Sequence, residues 1–298
     1  MELEGFTQKI KDLGLEDHLP QLEALVRPCI RLYLTKVDEQ EIPLGLSKMG
    51  GRPDLPLTFQ WPYETQRPAN ARDRYFSQST KEKELLPLSF IAQINLSEIS
   101  ALDAEDFLPR KGILYFFYAA EQDVWGFDPR DHSGFKVFYI EDDSAELKRM
   151  EFPEPLTNYA RYTTSRIDAT AEISLPSDSD SLPKFESDKQ FDDYFNYIVD
   201  DDNNNKMLGY PNVIQDSMEL ECELVSRGAY TGDADGYRQA NEESKTKATE
   251  WMLLLQVDSN EESCGMMWGD VGRLYYWIRK DDLLQKNFDN AWLILQCG

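Results

Sequence analysis

Five residues of the sequence combine charge and aromatic surface in a way that suits binding. Arg52 supplies a fixed cation, Asp54 and Asp270 supply carboxylates, and Trp61 and Trp268 supply rings next to Pro or Gly. Arg52 is expected either to neutralise a nearby carboxylate such as Asp54, which we favour, or to receive an anionic ligand. We expect all five to share a crevice between the two halves of the chain.

Few residues of this sequence stand in a pattern that supports catalysis. Asp270 is the strongest candidate for a catalytic carboxylate, because the Trp268 indole would desolvate it, yet a turn aspartate explains the same residues and is favoured. The only histidines, His18 and His132, stand in no metal-binding spacing, so zinc sites and His-based triads are unsupported. No glycine-rich phosphate loop is present. The sequence therefore predicts no cofactor and no catalytic residue.

Residues 231–242 partly match a calcium-binding loop. Asp233 and Asp235 fall at the third and fifth loop positions and Glu242 at the twelfth, but Thr231 stands at the first. The preceding residues 219–227 alternate more than they follow a helical period. A solvated Gly/Asp turn is favoured over a calcium site.

Two glutamines interrupt apolar strands at the same place in each half of the chain. An unpaired buried amide costs on the order of 1 to 3 kcal/mol, so Gln93 and Gln256 should both have hydrogen-bond partners. We expect them to tie the two halves together by hydrogen bonds to backbone across the interface. A ligand-binding role is the less favoured alternative.

The overall charge excludes several classes of protein. The chain has 298 residues with 55 Asp or Glu against 31 Lys or Arg, a formal net charge of −24. That charge repels nucleic-acid phosphates and anionic bilayers. The apolar stretches are too short to cross a membrane, and four scattered cysteines without a CxxC spacing fit a reduced compartment. We expect a cytoplasmic protein that binds neither nucleic acid nor membrane.

Helical spacing marks the beginning of the chain, and strand patterns follow. Phe6, Ile10 and Leu13 predict one helix, and a second is predicted from Pro20 through Ile30. After Pro43, short apolar runs between Gly, Pro and Asp predict buried strands, of which the clearest are 90–96, 113–118, 135–140, 251–257, 274–278 and 292–295.

Four segments of the first half recur in the same order in the second half. The matches pair a Gly-x-Pro turn, a strand with an internal Gln, a Gly-led aromatic strand and a final apolar strand, at Gly51/Gly209, Gln93/Gln256, Gly112/Gly272 and 136–140/292–296. This order predicts a duplicated α+β unit.

The same blocks carry a resemblance to a known family. The sequence resembles the YwqG-like proteins, a bacterial family of unknown function, from about residue 45 to the end, through 50–56, Trp61-Pro62, 87–96, 208–211, Ile214-Gln215, Trp268-Gly269-Asp270 and 287–297. The resemblance implies a duplicated α+β fold and a cytoplasmic location. It implies no established activity and supplies no catalytic residues.

The predicted architecture is α+β, with an internally duplicated unit, mainly antiparallel sheets and N-terminal helices. We expect a helical segment at 1–45, a first repeat at 46–175, an acidic linker with a short helix at 176–206 and a second repeat at 207–298, both repeats in one compact domain. The favoured function is a non-enzymatic binding or neutralising protein whose acidic surface engages a basic protein partner. The alternative is a small-molecule hydrolase or ligand-binding enzyme with carboxylates in the groove between the repeats.

Overall fold

A computed structural model describes residues 3–65, 86–141, 146–177, 182–199 and 203–298. Parts of the expected linker, at 178–181 and 200–202, therefore lie outside the described residues. The fold is α+β, as predicted, and its main sheet is mostly antiparallel and nearly closed.

The N-terminal segment is only partly helical. Helices α1, Leu3–Asp12, and α2, Leu19–Leu25, are followed by strand β1, Arg27–Lys36. The prediction of a helix continuing to Ile30 is therefore wrong. Pro28 favours an extended residue before it, and the run from Cys29 to Leu32 is buried within the sheet.

Ten strands form the main sheet. Besides β1 they are β2 Lys48–Met49, β4 Ser89–Asn95, β5 Ile113–Tyr118, β6 Phe135–Ile140, β8 Ser165–Ser174, β9 Lys206–Met207, β10 Trp251–Asp258, β11 Arg273–Arg279 and β12 Trp292–Gln296. Their order in the sheet is β12-β11-β10-β9-β1-β8-β2-β4-β5-β6. Strand β1 pairs with β8 along its full length. A small second sheet pairs β3, Asp54–Pro56, with β7, Leu147–Arg149.

The sheet has the same arrangement on each side of the central β1–β8 pair. A two-residue strand, β2 or β9, lies next to the pair, and three strands follow in chain order toward the edge. The first of these three strands, β4 or β10, has a shift in its pairing register at the same place in both halves. The shift lies between Phe90 and Ala92 in β4 and between Leu253 and Leu255 in β10. Duplication of one unit, which would explain this order, stays a prediction.

The two halves of the sheet curve toward each other around a shared core. Phe116 of β5 and Tyr276 of β11 meet with ring centroids 5.0 Å apart. At the edge, the Trp292 indole N–H donates to the Gly126 carbonyl at 2.9 Å, and the His132 ring stacks on Trp292. The loop after β5 thus covers the outer strand β12, which protects that edge from pairing with another chain.

The remaining described helices lie in the connections. They are α3 Leu96–Ile99, α4 Asp188–Val199, α5 Glu219–Ser226, α6 Ala234–Tyr237, α7 Glu242–Ala248, α8 Glu261–Cys264 and α9 Lys280–Leu284. Helix α4 packs through Tyr194 onto Phe6 and Ile10 of α1 and Leu22 of α2. In the described parts of the chain, no helix combines the length and apolar character needed to span a membrane.

Candidate functional site

Arg52 is neutralised by two carboxylates. Its Nε lies 2.6 Å from Glu39 Oε2, and its Nη1 lies 2.6 Å from Glu151 Oε1. The expected ion pair therefore exists, but its partners are Glu39 and Glu151 and not Asp54. The Arg52 side chain is engaged within the protein.

Asp54 is instead the centre of a buried charge cluster. Its carboxylate, completely buried, lies 3.1 Å from Lys48 Nζ and 2.9 Å from Arg149 Nε. The Gly45 N–H also donates to Asp54 Oδ2 at 3.1 Å. These contacts join β2, β3 and β7, so the Asp54 carboxylate supports the fold and is closed to solvent.

The pKa values in this cluster follow from burial and pairing. Burial lowers the pKa of the Lys48 ammonium to about 8, although the Asp54 carboxylate opposes that shift. Burial acts to raise the pKa of Asp54, but the hydrogen bond from Arg149 and the charge of Lys48 outweigh it and hold that pKa below its usual range. Asp54 is therefore ionised at neutral pH.

Gln93 of strand β4 forms hydrogen bonds with the segment around the Gly51-Arg52-Pro53 turn. Gln93 Oε1 accepts the Asp54 N–H at 2.8 Å, and Gln93 Nε2 donates to the Leu46 carbonyl at 2.7 Å. The Tyr115 hydroxyl donates to the Asp54 carbonyl at 2.6 Å. Both polar ends of the buried amide thus have partners within the protein.

The second half repeats these contacts with Asn212 at the place of Asp54. Gln256 Oε1 accepts the Asn212 N–H at 2.8 Å, and Gln256 Nε2 donates to the Asn204 carbonyl at 2.6 Å. The Tyr275 hydroxyl donates to the Asn212 carbonyl at 2.6 Å. The two amides therefore hold equivalent turns within each half. The expectation that they tie one half to the other is not what the contacts show.

The remaining binding candidates do not meet in one crevice. Trp61 is half-buried, and its indole N–H donates to the Leu88 carbonyl at 2.8 Å. Trp268 is completely buried and packs on Tyr162 with ring centroids 5.5 Å apart. Asp270 is exposed on the surface. Because Trp268 has no accessible face, the expected crevice shared by Arg52 and Trp268 is not present in this arrangement.

The acidic residues of the calcium-like loop cap helices and pair with cations. Asp233 accepts the N–H of Asp235 at 3.0 Å at the start of α6, Asp235 pairs with Arg238, and Glu242 pairs with Lys245 at 3.0 Å. Within the ranges given above, no three or more His, Cys, Asp or Glu residues are grouped to hold a metal ion. The sequence reading of residues 219–227 as non-helical is also wrong, since α5 begins at Glu219.

A cleft that the sequence did not reveal lies between the loop after β5 and the helices of the second half. Its volume is about 450 Å³. We call it the acidic cleft, and its lining residues are Phe127, Gln215, Asp216, Glu221, Thr231, Gly232, Asp233, Ala234, Tyr237 and Gln296.

The fold positions the walls of the acidic cleft through backbone contacts. The Phe127 carbonyl accepts the Thr231 N–H at 2.9 Å, which attaches the loop of the first half to the second half. Gln296, at the end of β12, donates from Nε2 to the Asp216 carbonyl at 2.8 Å and accepts the Gln215 N–H at 3.1 Å. The cleft is therefore built from segments far apart in the sequence.

Glu221 is the carboxylate whose electrostatics stand out in the cleft. It is half-buried on α5 and accepts a hydrogen bond from the Thr231 hydroxyl at 2.9 Å. Burial raises the pKa of Glu221, the Thr231 hydrogen bond opposes the shift, and the nearby Asp216 charge adds to it. Among the described residues no Lys or Arg pairs with Glu221.

One signal in the sequence points to this position. Met218, just before α5, and Cys222 and Val225 on α5 are buried at helical spacing. Glu221 lies three residues after Met218 and four before Val225. A carboxylate at the border of an apolar stripe is a candidate for partial burial. The sequence could not show that Phe127 and Asp216 close a cleft over it.

Comparison with known proteins gives one family. A family model described as a domain of unknown function, DUF1963, matches residues 47–297. No curated protein matches the chain.

Proposed function

The chain belongs to the DUF1963 family of domains of unknown function, and on that premise we propose a function from the acidic cleft: the protein binds a basic partner protein without catalysis. The cleft receives a Lys or Arg side chain of that partner.

The carboxylate of Glu221 carries the proposal. Among the described residues the half-buried Glu221 carboxylate has a hydroxyl as its hydrogen-bond partner and a second carboxylate nearby, so little offsets its desolvation cost. A cation entering the cleft would offset that cost and form a charge-assisted hydrogen bond. The site is thus complementary to a positive group that a partner brings.

The rest of the lining suits a long cationic side chain. Phe127 and Tyr237 supply aromatic surface on which a guanidinium or an alkyl stem can pack. The cleft carries three carboxylates, those of Asp216, Glu221 and Asp233, and no Lys or Arg is among its lining residues. Aromatic surface and negative charge together favour Arg over a compact inorganic cation.

Charge around the cleft would steer a basic partner toward it. The segment 211–250, which supplies most of the lining, contains nine Asp or Glu against four Lys or Arg. The net charge of −24 acts in the same direction at longer range. Association should therefore be fast at low ionic strength and slower as salt screens the charges.

Calorimetric titration with a short arginine peptide tests this proposal. Acetyl-Ala-Arg-Ala-amide should bind the wild-type protein, and the neutral citrulline peptide of the same shape should bind at least about tenfold more weakly, since a charge-assisted hydrogen bond is worth roughly 1.5 to 3 kcal/mol. Glu221→Gln should weaken binding of the arginine peptide by a similar factor. Glu261→Gln removes one exposed carboxylate on α8 and is the matched control. Equal losses in both variants would exclude the cleft as the site.

A second candidate function, hydrolysis of a small molecule, uses the same cleft. The raised pKa of Glu221 favours it, because a general acid must hold its proton near neutral pH. Turnover of p-nitrophenyl esters or glycosides by the wild-type protein, lost in Glu221→Gln, would support the hydrolase. Peptide binding without turnover supports the binding protein.

Three further statements belong to the proposal. We propose that the two halves are copies of one unit, which the matching contacts of Gln93 and Gln256 support. We propose that the chain stands with the YwqG-like proteins within its family, on the motifs quoted above. A cytoplasmic location is likewise a proposal.

A further inference from the structure

A second cavity lies against the Gly-x-Pro turn of the second half, and different residues of the segment 215–221 line it and the acidic cleft. Its volume is about 540 Å³, within the range typical of small-molecule sites. Apolar side chains form much of its wall, among them Leu25, Val213, Leu220 and Trp251. Two cations, Arg27 and Lys245, also line it.

Arg27 is held at this cavity by an aromatic ring. Its guanidinium lies 4.0 Å from the centroid of the Tyr210 ring, and the side chain is exposed. Among the described residues no carboxylate pairs with Arg27. In a chain with a net charge of −24, an arginine that is fixed on a ring at a cavity and pairs with no carboxylate of the described residues is suited to an anionic ligand.

The other charges of the cavity are already engaged. Lys245 lies 3.0 Å from Glu242 on the surface of α7. Glu219, the acidic residue of the lining, accepts the Met218 N–H at 3.1 Å. Arg27 is therefore the lining cation that no described carboxylate pairs with, and the Glu219 carboxylate keeps its charge on the same wall.

The equivalent turn of the first half provides a comparison. Arg52 occupies the middle position of its Gly-x-Pro turn, as Tyr210 does in the second half, and Glu39 and Glu151 neutralise it. For Arg52 the sequence allowed either an ion pair within the protein or a contact with an anionic ligand, and the structure shows the ion pair. At the second turn the cation is Arg27, which lies on the Tyr210 ring. Arg27 is thus the cation suited to an anion.

We propose that this cavity binds a small amphipathic carboxylate. The carboxylate accepts hydrogen bonds from the Arg27 guanidinium at the mouth, and the apolar body of the ligand packs against Val213, Leu220 and Trp251. This site is separate from the acidic cleft, so the inference does not depend on the proposed partner protein.

Titration of the protein with octanoate and with octan-1-ol tests the proposal by calorimetry. Both probes offer the same apolar chain, and only octanoate carries the charge that Arg27 would recognise. Octanoate should bind about tenfold or more tightly than octan-1-ol, the ratio expected for a charge-assisted hydrogen bond. Equal affinities of the wild-type protein for the two probes would overturn the proposal without any variant.

Three variants locate the site. Arg27→Gln should lower the affinity for octanoate to that for octan-1-ol and leave the affinity for octan-1-ol unchanged. Arg166→Gln removes an exposed arginine near the opposite end of the β1–β8 pair and should change neither probe. Ser217→Trp, at an exposed lining position, should block both probes. Equal losses of octanoate in the two arginine variants, or full binding in Ser217→Trp, would contradict the assignment.

Discussion

Replacing Asp54 by Asn would leave two buried cations without the carboxylate that they share. Lys48 Nζ and Arg149 Nε lie 3.1 and 2.9 Å from Asp54 Oδ1, and the Lys48 and Asp54 side chains are completely buried. Asn has nearly the same shape as Asp, and Asn212 already stands at the corresponding position of the second half. The substitution therefore removes charge and leaves the packing in place.

The expected cost follows from the burial of the pair. Breaking a buried ion pair by removal of one partner costs about 3 to 5 kcal/mol, because the remaining charge stays desolvated. We expect Asp54→Asn to lower the free energy of unfolding by that amount, measured by urea denaturation followed by circular dichroism. Asp270→Asn, at an exposed carboxylate, is the matched control and should change stability by less than about 0.5 kcal/mol.

A double variant separates the charge from other effects of the substitution. Lys48→Met combined with Asp54→Asn removes one of the stranded cations and should recover part of the loss. A cost below about 1 kcal/mol for Asp54→Asn would refute the reasoning. The reasoning would also be refuted if the double variant lost more free energy of unfolding than the sum of the losses of the two single variants.

Four further predictions concern stability. Lys48 has a pKa of about 8 in the folded protein against an ordinary value of 10.5, so the unfolded chain binds more protons than the folded chain above pH 8. The free energy of unfolding of the wild-type protein should therefore rise between pH 8 and 9.5 relative to that of Lys48→Met, as measured by denaturation at each pH. Gln93→Leu and Gln256→Leu should each cost about 1 to 3 kcal/mol in urea denaturation, since each leaves a buried turn N–H unpaired. Glu221→Gln should raise the melting midpoint at pH 7, because the raised pKa of Glu221 means that its charged form destabilises the fold there. The gain should decline as the pH falls below that raised pKa and disappear near the ordinary value of 4.5. The wild-type midpoint should also rise from low to moderate salt, as screening at a Debye length of about 10 Å in 0.1 M salt weakens self-repulsion.

The buried strands were the part of the fold that the sequence predicted well. The predictions at 113–118 and 135–140 coincide with β5 and β6, and those in the second half fall within β10, β11 and β12. Each of these runs is strongly apolar, so the local pattern and the final environment agree.

Positions that depend on distant partners were not predictable in the same way. Strand β1 follows α2 with apolar spacing that also fits a helix. Pro28 favours extended backbone only at the residue before it, and pairing with β8 and β9 stabilises the rest of the strand. Asp54 is predicted from the sequence to line a crevice between the halves, yet Lys48 and Arg149 enclose it. The acidic cleft needs Phe127 and Glu221 brought together from opposite halves, which no local pattern encodes.

Carbon-13 NMR titration of the Glu221 carboxyl group tests the binding proposal most directly, with Glu221→Gln used to assign the resonance. In the free protein the pKa of Glu221 should lie above its ordinary value of 4.5. Saturating acetyl-Ala-Arg-Ala-amide should lower that pKa, because a cation in the cleft stabilises the charged form, and the citrulline peptide should leave it unchanged. An unshifted pKa in the free protein, or a raised pKa that the arginine peptide does not move, would contradict the account.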